Sequence, residues 1–368
     1  MYLANRGGAA VAAPRPISSH NDALQSLRGL AAVSVMFAHS ALTLSDNGVA
    51  YFLAAKLFPG DPAVMIFFVL SGYVLAASLT KRGVSRGSVI GFYVRRIFRI
   101  YPALCIGVSA ALVFYLFLFP LPSPHRAAPI VSHYSSGLSF SKIIGSYLGI
   151  DAFLLFPTWT VCVELFASIA LPAIVILMRR NAVTGWSTLA GLLLISLVSG
   201  DAARQVPAFL FHFGMGAMIA VRPEVARFNP GRLGIAFGLL VLVLFHLVRF
   251  ESHFLQNVPL AVQGLGAAVV IAGLIQVDVA WMRRRALVAL GDWSFGIYLL
   301  HVPVAFTLST LFDAAGLIGL PLWLWSLLMV VLTTLLTVPL SALTFQYVER
   351  PGIEAGKRAL QMVQRRRS

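Results

Sequence analysis

Charged side chains are scarce in this chain. Only 11% of its 368 residues are Asp, Glu, Lys or Arg, whereas a soluble domain carries about 25%. Cysteine is scarce as well, because Cys105 and Cys162 are the only two, and they form neither a disulfide framework nor a metal-binding spacing. So few polar groups cannot cover a water-exposed surface, and the composition therefore excludes an ordinary soluble domain.

Long apolar runs take the place of the missing charges. Hydrophobic residues make up 59% of the chain, and they recur in stretches of roughly 20 residues, the length that crosses a hydrocarbon core of about 30 Å. Backbone groups inside that core must bond to one another, so only helices and closed barrels span it. Segments such as 232–248 and 322–343 are unbroken apolar runs instead of alternating strands, which predicts helices.

The predicted fold class is an all-α membrane protein, a polytopic bundle of about ten transmembrane helices. We place the spans at 23–43, 62–80, 100–119, 159–178, 186–200, 206–221, 233–249, 259–276, 293–311 and 322–346. The segment 143–157 is apolar but short, so it could be a re-entrant piece, an interfacial piece or a further span.

The basic residues are unevenly distributed between the two sides of this arrangement. With the N-terminus inside, 23 of the 28 Lys and Arg fall in cytoplasmic segments and 5 fall outside. The positive-inside rule therefore predicts two cytoplasmic termini and an even number of spans. The net charge of +15 follows from this topology and gives no reason to expect nucleic-acid binding.

This topology divides the chain into three predicted parts. Residues 1–22 form a cytoplasmic segment without the apolar core of a signal peptide. The transmembrane domain covers 23–351, and 352–368 is a basic cytoplasmic tail next to anionic lipid headgroups.

Ionisable residues inside spans indicate function, because burying them in a bilayer is costly. Arg28 and His39 are eleven residues apart in the first span. Eleven helical steps of 100° end about 20° beyond three full turns, so both side chains share one face, about 16 Å apart along the axis. An imidazole in that position can take a proton from a hydroxyl, and a deep guanidinium can bind phosphates or a carboxylate. A packing histidine and a snorkelling arginine are the structural alternatives.

A second basic group precedes the third span. Arg96 and Arg99 are three residues apart, on one helix face, where two guanidinium groups can bind phosphates. Arg95 belongs to the same cluster but is expected to face elsewhere. An ordinary positive-inside anchor would explain the cluster equally well.

Two later spans also carry polar candidates. Glu164 could orient an imidazolium, balance an arginine or bind a sugar hydroxyl. His301 is a second histidine within a span, and Tyr298 lies one turn before it; we assign both a supporting or acceptor-facing role. Glu349, at the end of the last span, is expected to be a cap or an ion-pair partner of the basic loops.

Six motifs in this order resemble the acyltransferase-3 family of bacterial membrane acyltransferases. They are LRGLAA at 27–32 followed by His39, FFVLSGY at 67–73, RRIFRIYP at 95–102, WTVCVE at 159–164, SFGIYLLH at 294–301 and ERP at 349–351. Single motifs are weak, but six in sequence with matching spacing are specific, and together they cover about 23–351.

The resemblance implies an inner-membrane enzyme that moves an acyl group, usually acetyl, from acyl-CoA to a hydroxyl of a carbohydrate or glycolipid. It implies His39 and Glu164 as catalytic residues and Arg28, Arg96 and Arg99 as the acyl-CoA site. It leaves room for a separate extracytoplasmic acyl-transfer partner, and the residues show no zinc-binding spacing, so we expect no metal. A transporter or flippase of a polysaccharide precursor is the alternative, since polar residues in spans suit transport too.

Overall fold

Ten long helices dominate the computed structural model, which describes residues 21–41, 43, 60–199, 206–248, 257–317 and 320–365. The helices are α1 (Asp22–Ala41), α2 (Gly60–Lys81), α3 (Arg86–Val113), α4 (Thr158–Arg180), α5 (Ala182–Val198), α6 (Val206–Val221), α7 (Gly231–Leu247), α8 (Val258–Gln276), α9 (Ser294–Ala314) and α10 (Leu322–Thr344). Each predicted span overlaps one of them, although residues 42, 200 and 249 at the ends of three spans lie outside the described part of the chain. No β-strand occurs in these described ranges. The all-α polytopic fold is confirmed.

Six of the described helices are long and apolar enough to cross a membrane, namely α2, α3, α4, α8, α9 and α10. The helices α5, α6 and α7 are apolar but shorter, at 17, 16 and 17 residues. Helix α1 is 20 residues long, but its polar residues, among them Arg28 and His39, make it less apolar than the others.

Hydrogen bonds between helix ends fall into two sets, one on each side of the bundle. One set joins ends predicted to be cytoplasmic: Asn21 with Leu274, Ser26 with Met282, Gln276 with Ala226 and Arg222 with Met178. A second set joins ends predicted to lie outside: Ala127 with Thr43, Ser326 with Ala41, Ser196 with Ala208 and Asn257 with Ser196. Successive helices therefore run in alternating directions, as a polytopic bundle requires. Which side is cytoplasmic stays a prediction from the charges.

Glycines set the tightest helix contact, between α2 and α6. A Cβ atom on Gly72 would overlap the backbone of Phe213, and one on Gly216 would overlap the backbone of Val69. Small residues let helix backbones approach closely in a membrane, where burial of apolar surface does not drive helix association. Gly72 and Gly216 therefore allow α2 and α6 to pack in direct backbone contact.

The segment 143–157 does not span the membrane in this structure. Its helical part belongs to a helix of 9 residues, Phe140–Leu148, which at 1.5 Å per residue is about 13 Å long. Gly149 ends that helix with a left-handed φ of 72°. The rest of the segment runs without regular structure to α4. The segment is therefore a short re-entrant or interfacial piece and not a further span.

The chain continues past the last span as a helix. A π-helical segment, Phe345–Glu349, joins α10 to an amphipathic helix, α11 (Arg350–Arg365). Gly352 and Gly356 of α11 lie against Phe98 of α3. The boundary predicted at 351 therefore falls inside a helical stretch, and at least this part of the basic tail packs on the bundle. Residues 1–20 lie outside the described part of the chain.

Candidate functional site

Helix α1 lies at the centre of the candidate site. It packs against α2, α9 and α10, and against the short helix Arg285–Asp292. That close approach needs Gly29, because a Cβ there would press on the backbone of Leu290 and Gly291. The α1 face that carries Arg28 and His39 is thereby directed into the bundle and away from lipid.

His39 and His301 form a pair inside the bundle. Nδ1 of His39 lies 2.8 Å from Nε2 of His301, and the two rings are inclined by only 7°. The His301 side chain has no exposed surface, whereas His39 is half-buried with its ring edge-on to Phe156. The pairing joins α1 to α9, 262 residues apart in sequence.

A backbone carbonyl determines which ring nitrogens of this pair carry protons. Nδ1 of His301 lies 3.0 Å from the carbonyl oxygen of Ile297, and a carbonyl oxygen only accepts. His301 Nδ1 must therefore donate, which leaves Nε2 of a neutral His301 as an acceptor. His39 Nδ1 then donates to it, and His39 Nε2 keeps a free lone pair. This is the protonation state that a general base needs.

An ion pair occupies the middle of the site. Arg96 of α3 and Glu164 of α4 approach to 2.7 Å, with side chains 9% and 21% exposed. The hydroxyl of Ser71 on α2 lies 3.4 Å from the same carboxylate oxygen. Bonds to charged groups are the strong hydrogen bonds of proteins, so this contact ties α2, α3 and α4 together at one depth.

Three further charged groups surround this ion pair. Arg28, Arg99 and Glu349 interact electrostatically with one another, and Arg28 and Arg99 also with Glu164. Glu349 is 2% exposed, at the end of the π-helical segment. Three arginines against two glutamates leave one net positive charge, which suits an anionic ligand.

Two adjoining cavities run past these charges. The wider, with about 730 Å³ of empty space, is lined by Arg95, Arg96 and Arg99 at the end predicted to be cytoplasmic. The narrower, of about 470 Å³, reaches Tyr298 and Thr160. Both are lined by Arg28, Phe67, Ser71 and Glu164. Because they share these residues, the two cavities adjoin, and we call them together the path, which is wide and basic at one end and narrow at the other.

Tyr298 stands between the narrow cavity and the histidine pair. Its hydroxyl accepts a hydrogen bond from Thr160, at 2.8 Å, and donates to the carbonyl oxygen of Pro157, at 3.2 Å. Its ring lies 5.9 Å from that of His301, centroid to centroid. The cavity thus ends one aromatic ring away from the paired imidazoles.

The structure brings the predicted site residues together in two groups. His39 and His301 form one, with Tyr298 beside them, and the arginines form the other with Glu164. Of the three roles considered for Glu164, its contact with Arg96 corresponds to balancing an arginine. A catalytic role of Glu164 stays a prediction. Arg95 also lines the wide cavity, contrary to expectation, because its long side chain spans the 100° offset from Arg96.

Sequence reasoning missed the neutral polar residues of the path. Ser71 lines both cavities, and Thr160 bonds to Tyr298. Ser71 lies in the motif at 67–73 and Thr160 in the motif at 159–164, but neither was named as a site residue. A hydroxyl in an apolar helix usually bonds to the backbone of its own helix, so the sequence did not indicate that these two line a cavity. The burial of Glu349 depends on tertiary packing and was likewise not visible.

These observations define a class: a polytopic helical membrane protein whose bundle encloses a basic path leading towards an imidazole pair. The family described as "Acyltransferase domain" matches residues 21–342. The chain therefore belongs to this acyltransferase family, as its motifs indicated, and is a membrane acyltransferase.

Two relatives agree with this assignment. Nodulation protein 10 of Rhizobium leguminosarum bv. viciae is 27% identical over 371 residues, which cover 92% of this chain and 94% of the relative. Acyltransferase MdmB of Streptomyces mycarofaciens is 26% identical over 315 residues, covering 76% and 78%. No solved structure matches the chain.

Proposed function

We propose that this chain is an inner-membrane O-acyltransferase that takes an acyl group, acetyl in the simplest case, from cytoplasmic acyl-CoA. The acceptor is a hydroxyl of a carbohydrate or glycolipid. The observation that carries the proposal is the elongated path, with arginines at its wide end and a histidine pair beyond its narrow end. Its shape matches a donor with an anionic head and a thin, reactive arm.

The wide end would bind the phosphates of the donor. Arg99 is exposed and Arg95 is half-buried there, so both guanidinium groups are available to a ligand. Arg96 is engaged by Glu164, and its role is to hold the path open and to add to the positive potential. The pantetheine arm would then pass Arg28 and Ser71.

The histidine pair would perform the proton transfer. His39 Nε2 takes the proton of the acceptor hydroxyl while that oxygen attacks the thioester carbonyl. The new oxygen–carbon bond forms as the carbon–sulfur bond breaks, and the proton passes from His39 to the departing sulfur. His301 holds His39 in the correct tautomer through the bond to Ile297. For this transfer Tyr298 must move aside or let the thioester pass.

Labelled donor tests the proposal. Membranes containing the chain are incubated with radiolabelled acetyl-CoA, and the saccharide and glycolipid fractions are counted against membranes containing His39→Ala. We expect label in the wild type only. Label in both samples would remove His39 from the chemistry, and passage of saccharide precursor without any label would favour a flippase instead.

A further inference from the structure

A third cavity opens on the other side of α1 and α2. It has about 2270 Å³ of empty space and lies between those two helices and the α7–α8 hairpin. The hairpin is closed by glycines, since a Cβ on Gly238 would meet the backbone of Gly266. Near its outer end α7 approaches α2, where His246 lies 3.7 Å from Asp61. The cavity is a groove between these helices that extends to their predicted cytoplasmic end.

The walls of this groove are aliphatic over most of their length. Leu27 and Leu30 line it from α1, Ile66 from α2, and Leu239 and Val243 from α7. Apolar walls that face a bilayer select a hydrocarbon chain as the occupant.

Charge is confined to one end of the groove. Arg232, Arg284 and Trp281 lie at its predicted cytoplasmic rim, and all three are exposed. Asp278 lies there too, but its carboxylate is paired with Arg283 at 3.1 Å. Arg232 and Arg284 make no ion pair among the described residues, so the rim presents two uncompensated positive charges. Tryptophan beside them is typical of the membrane interface.

The stretch of α7 that lines the groove is about as long as one leaflet of a bilayer. From Arg232 to Val243 is eleven residues of helix, or about 16 Å. The hydrocarbon core is about 30 Å thick, so one leaflet occupies about half of that. A molecule with its charge at the rim and its chain along α7 would therefore have the dimensions of a lipid of the cytoplasmic leaflet.

We propose that this groove is a binding site for an anionic phospholipid of the cytoplasmic leaflet. The phosphate lies at Arg232 and Arg284, and one acyl chain runs along α7 to the level of Val243. The groove and the acyl-donor path lie on different faces of α1: Leu27 and Leu30 line the groove, whereas Arg28 lines the path. The inference therefore stands independently of the proposed catalytic function.

Lipid retention by the purified full chain tests this site. The protein is reconstituted into vesicles of equimolar phosphatidylglycerol and phosphatidylcholine, extracted, and its bound lipids are identified by native mass spectrometry. We expect a preference for phosphatidylglycerol of about 30-fold, which equals about 2 kcal/mol at 1.4 kcal/mol per factor of ten. Each arginine should contribute about 1 kcal/mol of that free energy.

Three variants separate the parts of the site. Arg232→Glu with Arg284→Glu should abolish the preference, and Ala236→Trp, which fills the groove, should reduce all bound lipid while both arginines stay. Arg179→Glu, an exposed arginine at the same predicted side but outside the groove, is the matched control and should change nothing.

Equal retention of both lipids by the wild type would overturn the proposal. So would an unchanged preference in the doubly charge-reversed variant, or full lipid retention in Ala236→Trp, which would mean headgroup binding without an occupied groove. A thermal melt of each variant in detergent verifies that the fold is intact, and acyl-CoA binding, which depends on the other path, should be the same in all of them.

Discussion

The two ends of the candidate site hold their polar groups in different ways. At the arginine end, Arg96 and Glu164 form an ion pair beside a wide cavity, and further charges lie within electrostatic reach. At the histidine end, two neutral rings and a backbone carbonyl form a chain of hydrogen bonds. The first arrangement is suited to binding a charged group, and the second to moving a proton.

This difference leads to separable effects of mutation. Changes at the histidine end should lower turnover and leave donor binding intact. Changes at the arginine end should weaken donor binding or stability and leave the chemical step alone. Each of the following experiments could break that division.

The largest effect on activity is expected for His39→Ala. Loss of a general base lowers the rate by about 10²–10⁴-fold, so label transfer from acetyl-CoA should nearly disappear. Binding of acyl-CoA to the purified variant, measured by calorimetry, should be unchanged, because the arginine end is intact. A variant that lost binding and turnover together would contradict the division.

Removal of one partner of the ion pair should chiefly reduce stability. Glu164→Ala leaves Arg96 buried without its counter-charge, which costs about 3–5 kcal/mol of unfolding free energy. The double variant Arg96→Met with Glu164→Leu should recover most of that loss, as followed by thermal melting in detergent. If the double variant is stable but inactive, Glu164 or Arg96 contributes to catalysis beyond balancing charge.

An intermediate effect is expected for His301→Ala. Without the acceptor on His301, the ring of His39 can turn or change tautomer, and misplacement of a catalytic group costs about 10²-fold. The turnover number should fall while the KM for acetyl-CoA stays constant. His301→Gln supplies an acceptor oxygen for His39 Nδ1 and should restore part of the rate; if Ala and Gln behave alike, His301 only packs.

The smallest effect is expected for Arg99→Ala. One charged hydrogen bond to a phosphate contributes about 1.5 kcal/mol, which raises the KM for acetyl-CoA about tenfold. Arg179→Ala, an exposed arginine outside the cavity, is the matched control. Identical KM values for the two variants would mean that Arg99 does not bind the donor and serves only as a positive-inside anchor.

The sequence predicted the parts of this molecule that depend on local physics. A helix satisfies its own backbone bonds, so the apolar runs located the helices α1 to α10, six of which are long and apolar enough to cross a membrane. Helical periodicity alone put Arg28 and His39 on one face of α1 and Arg96 near Arg99. The short length of the segment 143–157 already made a full span questionable.

Only the tertiary structure decided which of these residues meet. The bond between His39 and His301 links α1 to α9, and the contact between Arg96 and Glu164 links α3 to α4. Such pairs depend on the rotation and depth of each helix, which packing against several neighbours determines. Hydropathy predicts the length of a span but not the rotation of the helix about its axis. The sequence therefore identified the reactive groups, and only the packing of the bundle determined their distances and orientations.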